Sequence, residues 1–321
     1  MKDLSKESVS WTEIDEASAG QRVDNFLCKH LKGVPKSHIY RILRSGEVRV
    51  NRKRINQTYR LQLGDQVRIP PVRVAEQPER DYVPAAEFPI LYEDDALLVI
   101  DKPSGVAVHG GSGVSFGVIE QLRQARPQAK FLELVHRLDR ETSGVLLLAK
   151  KRSALTAMHE IMREGNSDKR YLTLVLGQWK NARQHVKLPL YKFDTPQGEK
   201  RVMVREDGQA SHTIFTLQQS WPEFSLLEAQ LKTGRTHQIR VHLSHLGFPI
   251  AGDDKYGNFP RNKELAKRGL KRMFLHAHSI AFKHPLTGEA MSITAPLPKE
   301  LQRFVDKLEA KDSSIDRSSW A

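Results

Sequence analysis

The stretch HRLDRETSG at residues 136–144 decides which fold and which chemistry to expect from this chain. Its Asp139 follows Arg137 by two residues and lies in a turn that leads into the apolar run VLLLA (145–149), which predicts a strand. A carboxylate that attacks a substrate or removes a proton has to be ionised, held by the backbone and presented at a strand edge. The stretch therefore predicts a reactive Asp at the edge of a sheet.

Two distant segments carry side chains that suit the same kind of site. In KRYLTLVLG (169–177), Tyr171 opens a predicted strand. In LKTGRTHQIRVH (231–242), Thr236 is the expected N-cap of a short helix with one apolar side. The helical spacing places three polar residues together on its other side: His237, Arg240 and Ser244. Each segment alone is also typical of ordinary packing or of a solvated surface, so only their combination indicates a site.

The charge of the chain predicts a polyanionic partner. Its 321 residues include 51 Lys and Arg against 38 Asp and Glu, a formal net charge of +13. No basic amphipathic helix or long apolar run is evident, so we expect nucleic acid rather than a membrane, with simple solubility as the alternative. The single Cys28 excludes an internal disulfide and suits a reducing compartment. Since the first residues lack the apolar core of a signal peptide, a cytoplasmic location is expected.

The basic residues concentrate near the N-terminus. Residues 20–80 contain 14 Lys and Arg against 5 Asp and Glu, and the pattern predicts two short helices followed by basic hairpins. The second helix is expected to have Ser37 as its N-cap and to stop at Gly46. We interpret this region as an RNA-binding module; the alternative is a solvated basic face on a small domain. The expected phosphate contacts are Lys36, Arg41, Arg44, Arg49, Arg52, Lys53 and Arg54.

The rest of the chain predicts an α+β domain. Strand and helix patterns alternate without the regular rhythm of a doubly wound sheet, which favours a mixed, largely antiparallel sheet. The expected organisation is a flexible N-terminus (1–19), the small basic module (20–73), a Pro-rich linker (74–89), the large domain (90–310) and a flexible tail (311–321).

The combination of motifs resembles the RluA-type family of RNA pseudouridine synthases. The resemblance lies in LVHRLDxxTSGxLLLAK, KxYL and TGRTHQIRVH, in YEDDALLVIDKPSGVAVHGG upstream, and in HPLTGE and APLP downstream. In the basic region, RxDNFL, PKSHIYRILRSGEVRVN and LGDQVRIP resemble the small RNA-binding module named after ribosomal protein S-four. The resemblance covers about residues 20–308. It implies a pseudouridine-synthase-like sheet domain that follows such a module.

The resemblance also implies a reaction and its residues. Specific uridines of large-subunit (23S) ribosomal RNA, free or in an assembling subunit, would be isomerised to pseudouridine. No metal or cofactor is expected, because the base stays in the pocket and no electrons are exchanged, and a monomer is the default expectation. Asp139 would be the essential carboxylate, which attacks the nucleotide or removes the ribose 2′ proton, and Arg240 would pair with it. Tyr171 would lie against the base and assist proton removal from carbon 5. The implied substrate contacts are His136, Arg137, Arg235 and His237, with Arg137 holding the nucleotide out of its stack.

An arginine partner suits a reactive carboxylate on physical grounds. Burial disfavours the charged form of a carboxylate, whereas a neighbouring guanidinium favours it. At about 4 Å and an effective dielectric constant near 20, the attraction is roughly 4 kcal/mol, enough to offset moderate burial. A guanidinium never deprotonates in practice and its planar group binds a carboxylate through two parallel hydrogen bonds.

Two alternatives come from other classes of protein. Thirteen His residues invite a metal site, but His159 and Glu160 lack the second His of an HExxH motif and no Cys/His zinc spacing is present. A non-catalytic RNA-binding or ribosome-assembly protein would share the basic module. It would not need Asp139, Tyr171 and Arg240 together, and their joint presence favours the enzyme.

Overall fold

A computed structural model of the chain describes residues 8–72, 82–111 and 114–318. The N-terminal part is a small module in which two helices accompany a four-stranded antiparallel sheet of order β1-β4-β2-β3. The apolar residues of both helices and of the sheet form a buried cluster of their own, as the helical spacing predicts. Its elements are β1 (Ser10–Glu13), α1 (Val23–His30), α2 (Lys36–Arg44), β2 (Arg49–Val50), β3 (Lys53–Arg54) and β4 (Gln66–Ile69).

Two sequence predictions about this module are wrong. Residues 10–13 belong to the segment predicted to be flexible, but they form β1, which pairs antiparallel with β4. The next residue, Ile14, is buried in the module core and ties the strand down. Helix α2 has Pro35 rather than Ser37 at its cap position. A proline is tolerated at the start of a helix because the first N–H groups have no partner there, so the helix begins directly after it.

The remainder of the chain is an α+β domain on a ten-stranded sheet of order β10-β13-β14-β9-β15-β8-β6-β5, with β16 beside β15 and β7 beside β8. Strands β15 and β8 run parallel, and the other described pairs run antiparallel. The mixed, largely antiparallel sheet is therefore confirmed. Its strands are β5 (Ile90–Glu93), β6 (Leu97–Lys102), β7 (Glu133–Leu134), β8 (Ser143–Ala149), β9 (Ser167–Leu176), β10 (Arg183–Val186), β13 (Thr213–Ser220), β14 (Phe224–Leu231), β15 (Leu275–Lys283) and β16 (Ala290–Thr294).

A separate two-stranded hairpin, β11 (Leu190–Asp194) with β12 (Lys200–Val204), stands beside this sheet. None of the described helices is both long and apolar enough to cross a membrane. The helices of the domain are α3 (Val118–Ala125), α4 (Arg152–Arg163), α5 (Gln238–His245), α6 (Phe259–Lys267) and α7 (Lys299–Ser318).

The two segments predicted to be irregular differ in outcome. Residues 311–318 of the predicted tail are helical, because α7 continues through them after burying Leu301, Phe304 and Leu308 in the domain core. Of the predicted linker, residues 73–81 lie outside the described residues, and 82–89 contain no helix or strand. The end of that segment is attached to the domain, since Glu87 pairs with Arg126 of the α3 C-terminus at 2.8 Å.

Strand β8 positions the turn that carries Asp139. Every residue of β8 is buried, because the strand lies between β15 and β6 inside the sheet. Gly144 has a φ of +113°, and a Cβ on it would lie 2.2 Å from the carbonyl oxygen of Ala277 in β15. Only glycine permits this close parallel approach. The turn before the strand is closed by a hydrogen bond of 3.1 Å from the Thr142 N–H to the Asp139 carbonyl, which fixes the backbone of the carboxylate.

Candidate active site

The three predicted segments meet at one cavity of about 890 Å³. Its walls come from the turn before β8, from β9, from the loop between β14 and α5, and from the β11–β12 hairpin. The structure thus brings together residues that are about a hundred positions apart in the chain. All predicted catalytic and substrate-binding side chains line this cavity: Asp139, Tyr171, Arg240, His136, Arg137, Arg235 and His237.

The expected contact between Asp139 and Arg240 is confirmed, but it is made by one hydrogen bond and not by the two parallel bonds that were expected. The Arg240 Nη1 donates to Asp139 Oδ2 at 3.1 Å, a single hydrogen bond. The two parallel bonds of the guanidinium go instead to Asp253, from Nε to Oδ2 and from Nη2 to Oδ1, both at 2.8 Å. The Asp139 side chain is 27% exposed, whereas those of Arg240 and Asp253 are 5% and 1% exposed. Arg240 is therefore held from behind by Asp253 and presents one N–H to Asp139.

Asp253 is a site residue that the sequence did not indicate. Its Oδ1 also accepts backbone N–H groups of Lys255 at 2.8 Å and Tyr256 at 3.0 Å. Burial acts to raise its pKa, but the hydrogen bonds and charge of Arg240 hold the pKa of Asp253 below its ordinary value. The residue lies in GDDKYG (252–257), where two acids between glycines match no motif of a catalytic carboxylate. Only the fold reveals its partner.

His237 turns towards Asp139 but does not form an ion pair. Its Nε2 is 3.9 Å from Asp139 Oδ1, and burial lowers the pKa of His237 although the charge of Asp139 acts in the opposite sense. Its Nδ1 lies 2.7 Å from the Tyr256 hydroxyl, which accepts the N–H of Val202 in β12 at 3.0 Å. The hydrogen bond to Tyr256 fixes the orientation of the imidazole ring, so that its Nε2 faces the carboxylate of Asp139.

The predicted cap of α5 is wrong, and its predicted polar side is confirmed. His237, not Thr236, occupies the cap position with a left-handed φ of 55°. The side chain of Gln238 accepts the Arg235 N–H at 3.0 Å, which organises the loop in place of a threonine cap. His237, Arg240 and Ser244 all contact residues 253–256, through the Tyr256 hydroxyl, the Asp253 carboxylate and the Tyr256 carbonyl.

Tyr171 lies deep in the cavity wall with 8% exposure. Burial, and secondarily the negative charge of Asp139, raise the pKa of its hydroxyl well above the ordinary value. The hydroxyl is therefore protonated at neutral pH. Its ring offers an apolar surface and its tip a polar group at the same site.

The remaining predicted substrate contacts have unequal environments. His136 has its Nε2 engaged with the backbone N–H of Leu147 at 3.2 Å, and burial lowers the pKa of His136 to about 4. It is thus a neutral support of β8 as well as a lining residue. Arg137 is exposed at the cavity, and Arg235 is exposed with its Nε on the Ala210 carbonyl at 3.2 Å. Two exposed cations therefore line the cavity, together with an imidazole that is held by the backbone of β8.

The basic module carries its charges on the surface. All seven predicted phosphate contacts are exposed, and none pairs with a carboxylate within the parts of the chain that the structure describes. Arg54 lies opposite Arg49 in β2–β3, and Arg49 lies opposite Arg68 of β4. These three, the arginine row, point to one face of the sheet and donate to backbone carbonyls of residues 44–47. The carbonyls orient the guanidinium groups without neutralising them.

Among residues 8–72, 82–111 and 114–310, no three His, Cys, Asp or Glu side chains lie close enough together to hold a metal ion.

Comparison with known proteins identifies the family. A family model for RNA pseudouridylate synthase matches residues 96–245, and one for the S4 domain matches residues 21–67. The chain is 53% identical over 314 residues to ribosomal large subunit pseudouridine synthase C of Pasteurella multocida, covering 96% of both chains. It is 55% identical over 309 residues to the protein of that name from Escherichia coli K12, covering 94% of this chain and 97% of that one.

Solved structures agree with this assignment. The human RNA pseudouridylate synthase domain containing 4 superposes with a TM-score of 0.58 at 26% identity, over 69% of this chain and 93% of that one. The human RNA pseudouridylate synthase domain containing 1 gives a TM-score of 0.55 at 25% identity, over 70% and 95%. Sequence, fold and cleft converge: the chain belongs to the RluA-type family of RNA pseudouridine synthases, with an S4 domain at its N-terminus.

Proposed function

We propose that this enzyme converts specific uridines of large-subunit ribosomal RNA into pseudouridine. The relatives from P. multocida and E. coli are named as ribosomal large subunit pseudouridine synthases, and they align with nearly the whole chain. The observation that carries the proposal is the Asp139–Arg240 pair, 3.1 Å apart, beside Tyr171 in one cleft.

Asp139 is the proposed essential carboxylate. Arg240 engages its Oδ2, so Oδ1 is left for the nucleotide, with the His237 Nε2 3.9 Å away. The carboxylate either attacks the ribose or removes its 2′ proton, after which the base separates, turns and rejoins through carbon 5. A guanidinium held by Asp253 places a fixed positive charge beside this carboxylate. The reaction exchanges protons and no electrons, so these side chains suffice without a cofactor.

The uridine has to leave its helix or loop before it reaches Asp139. Extruding a nucleotide costs a few kcal/mol, and stacking on an aromatic ring returns about 1–3 kcal/mol. Tyr171 is the proposed platform and, being protonated, it also assists proton movement at carbon 5. Arg137 at the opening holds the nucleotide outside the RNA stack, and Arg235 and His237 complete the contacts.

The S4 domain is the proposed RNA clamp. Its exposed Lys and Arg side chains bind phosphates and bring the large domain to its target. Residues 20–73 would thus bind the RNA and residues 90–310 would carry out the reaction. We also propose that the enzyme is a monomer that acts in the cytoplasm on ribosomal RNA, free or in an assembling subunit.

The variant Asp139→Asn tests the proposal. We expect pseudouridine formation in a large-subunit ribosomal RNA transcript to be abolished, because the amide has no negative charge to attack or to accept a proton. RNA affinity should stay within about tenfold, since the phosphate contacts are untouched. Carbodiimide primer extension reads the product, and filter binding reads the affinity.

Modification retained by Asp139→Asn would refute the role of the carboxylate. A wild-type protein that binds the transcript but forms no pseudouridine, together with an unchanged pseudouridine map in cells that lack the protein, would favour a role in ribosome assembly instead.

A further inference from the structure

One half-buried cation in the cavity, Lys169, has no function in the proposed reaction. Lys169 lies two residues before Tyr171 on β9, so both side chains point to the same face of the sheet and line the cavity. Its Nζ lies 3.5 Å from the position that a Cβ on Gly234 would occupy, which places the ammonium against the loop before α5. The group thus sits between the wall that carries Tyr171 and the wall that carries His237.

The ammonium of Lys169 has no anionic partner in the described parts of the chain. No hydrogen bond or ion pair of this side chain is formed there, and burial lowers its pKa with no carboxylate acting against the shift. Its sequence neighbours on the opposite face behave differently: Arg170 contacts Asp168 at 2.9 Å and Glu228 at 2.8 Å. A partly buried charge without a partner is destabilising, so a ligand that supplies the negative charge fits this position.

Among the described residues, the other Lys and Arg side chains that line the cavity are either paired with carboxylates (Arg201, Arg240) or exposed to solvent (Arg137, Lys192, Lys200, Arg235). Arg240 is already bound to two carboxylates, and His237 is neutral. Lys192 and Lys200 are exposed on the hairpin. Lys169 is the cation that stands inside, next to the proposed platform for the base.

We propose that the Lys169 ammonium binds the detached uracil ring and stabilises its negative charge. This inference rests on the proposed function. When the bond from N1 to C1′ breaks, its electron pair leaves with N1, and the charge spreads to the O2 and O4 oxygens of the ring. The bond from C5 to C1′ then forms, C5 loses its proton and N1 gains one, so the product is an isomer and the ammonium is not consumed. A fixed cation aimed at charge that develops during reaction lowers the barrier.

The variant Lys169→Met tests this role, with Lys169→Arg as the charge-retaining variant. In single turnover with enzyme in saturating excess, we expect the methionine variant to be slower by about 10²–10³-fold, as when one such electrostatic donor is lost. The arginine variant should recover part of the rate, and RNA affinity of both should stay within about threefold. The control Lys232→Met removes an equal charge from an exposed position outside the cavity and should leave the rate unchanged within about twofold.

A substrate with 5-fluorouridine at the target position separates charge stabilisation from structural support. Fluorine withdraws electrons, so the detached ring holds its negative charge more easily and needs the ammonium less. Loss of the N1-linked nucleotide should therefore be impaired by Lys169→Met much less for 5-fluorouridine than for uridine. Equal impairment on both substrates, or a loss confined to RNA affinity, would overturn the inference in favour of packing or phosphate binding. If the wild-type enzyme forms no pseudouridine, the proposed function is wrong. If the wild-type enzyme is active and Lys169→Met has the same single-turnover rate, the proposed function stands and only the role of Lys169 is wrong.

Discussion

The cleft of the large domain and the sheet face of the S4 domain use arginine in opposite ways. In the cleft, Arg240 is 5% exposed and bound by two carboxylates, so its position is defined and its charge is largely compensated. In the arginine row, Arg49, Arg54 and Arg68 donate to backbone carbonyls and pair with no carboxylate among the described residues, so their charge is not compensated. The contrast teaches that chemistry at a carboxylate needs a fixed cation, whereas holding a polyanion needs accessible ones.

Replacement of Asp253, the buried carboxylate that holds Arg240, should have the largest effect on rate and stability. In Asp253→Asn the amide accepts only one of the two guanidinium bonds, so Arg240 becomes less well positioned against Asp139. We expect the single-turnover rate to fall by about 10²-fold or more and the free energy of unfolding to fall by roughly 3 kcal/mol, since a buried ion pair loses one partner. Single-turnover kinetics and urea unfolding measure the two quantities.

The neighbouring residue provides a matched control for Asp253. Asp254 lies 3.7 Å from the same guanidinium, but its side chain is 77% exposed. Asp254→Asn should change stability by less than about 1 kcal/mol, because exposed ion pairs contribute little. If Asp253→Asn and Asp254→Asn lowered the free energy of unfolding equally, burial of the ion pair would not explain the difference between the cleft and the arginine row.

The buried histidines should make the large domain sensitive to acid. Burial lowers the pKa of His276 to about 4. The neutral ring accepts a hydrogen bond from the Ser143 hydroxyl at Nδ1 and donates one from Nε2 to the Ala295 carbonyl. Between pH 6.5 and 4, His276 is protonated in the unfolded chain but neutral in the native protein. The free energy of unfolding therefore falls as the pH falls from 6.5 towards 4. At pH 5 the loss for this residue is about 2 kcal/mol. Urea unfolding at pH 7 and pH 5 should show a smaller difference for His276→Gln; an equal difference would contradict this.

Replacement of the arginine row should have the smallest effect, and it should change only RNA binding. In the triple variant Arg49→Gln, Arg54→Gln, Arg68→Gln, we expect the salt dependence of RNA affinity to weaken by about 0.7 slope units per lost contact, roughly 2 in total, with an unchanged rate at saturating RNA. The control replaces three exposed cations of α7: Lys299, Arg303 and Lys307. A slope that changes equally in both would mean that the row binds no phosphates.

Much of the fold follows from local pattern. The apolar spacing around Phe26 and Ile42 predicts the two helices of the S4 domain, and VLLLA predicts the buried strand β8. The errors fall where local pattern is weak. Strand β1 exists because β4, more than fifty residues later, supplies its hydrogen bonds. The end of α7 is helical because the apolar turns before it pack on the domain core.

By itself, the sequence determined the two-part organisation, the basic N-terminal module and the contact between Asp139 and Arg240. These features depend on charge composition and on motifs that can be recognised as continuous stretches of sequence. Only the tertiary structure decided that Asp253 binds Arg240 through two parallel hydrogen bonds, that Tyr256 orients His237, and that Lys169 faces the cavity with no carboxylate partner among the described residues. The physical reason is that pairing and burial depend on what lies opposite a side chain, and strands and loops far apart in the chain supply those neighbours.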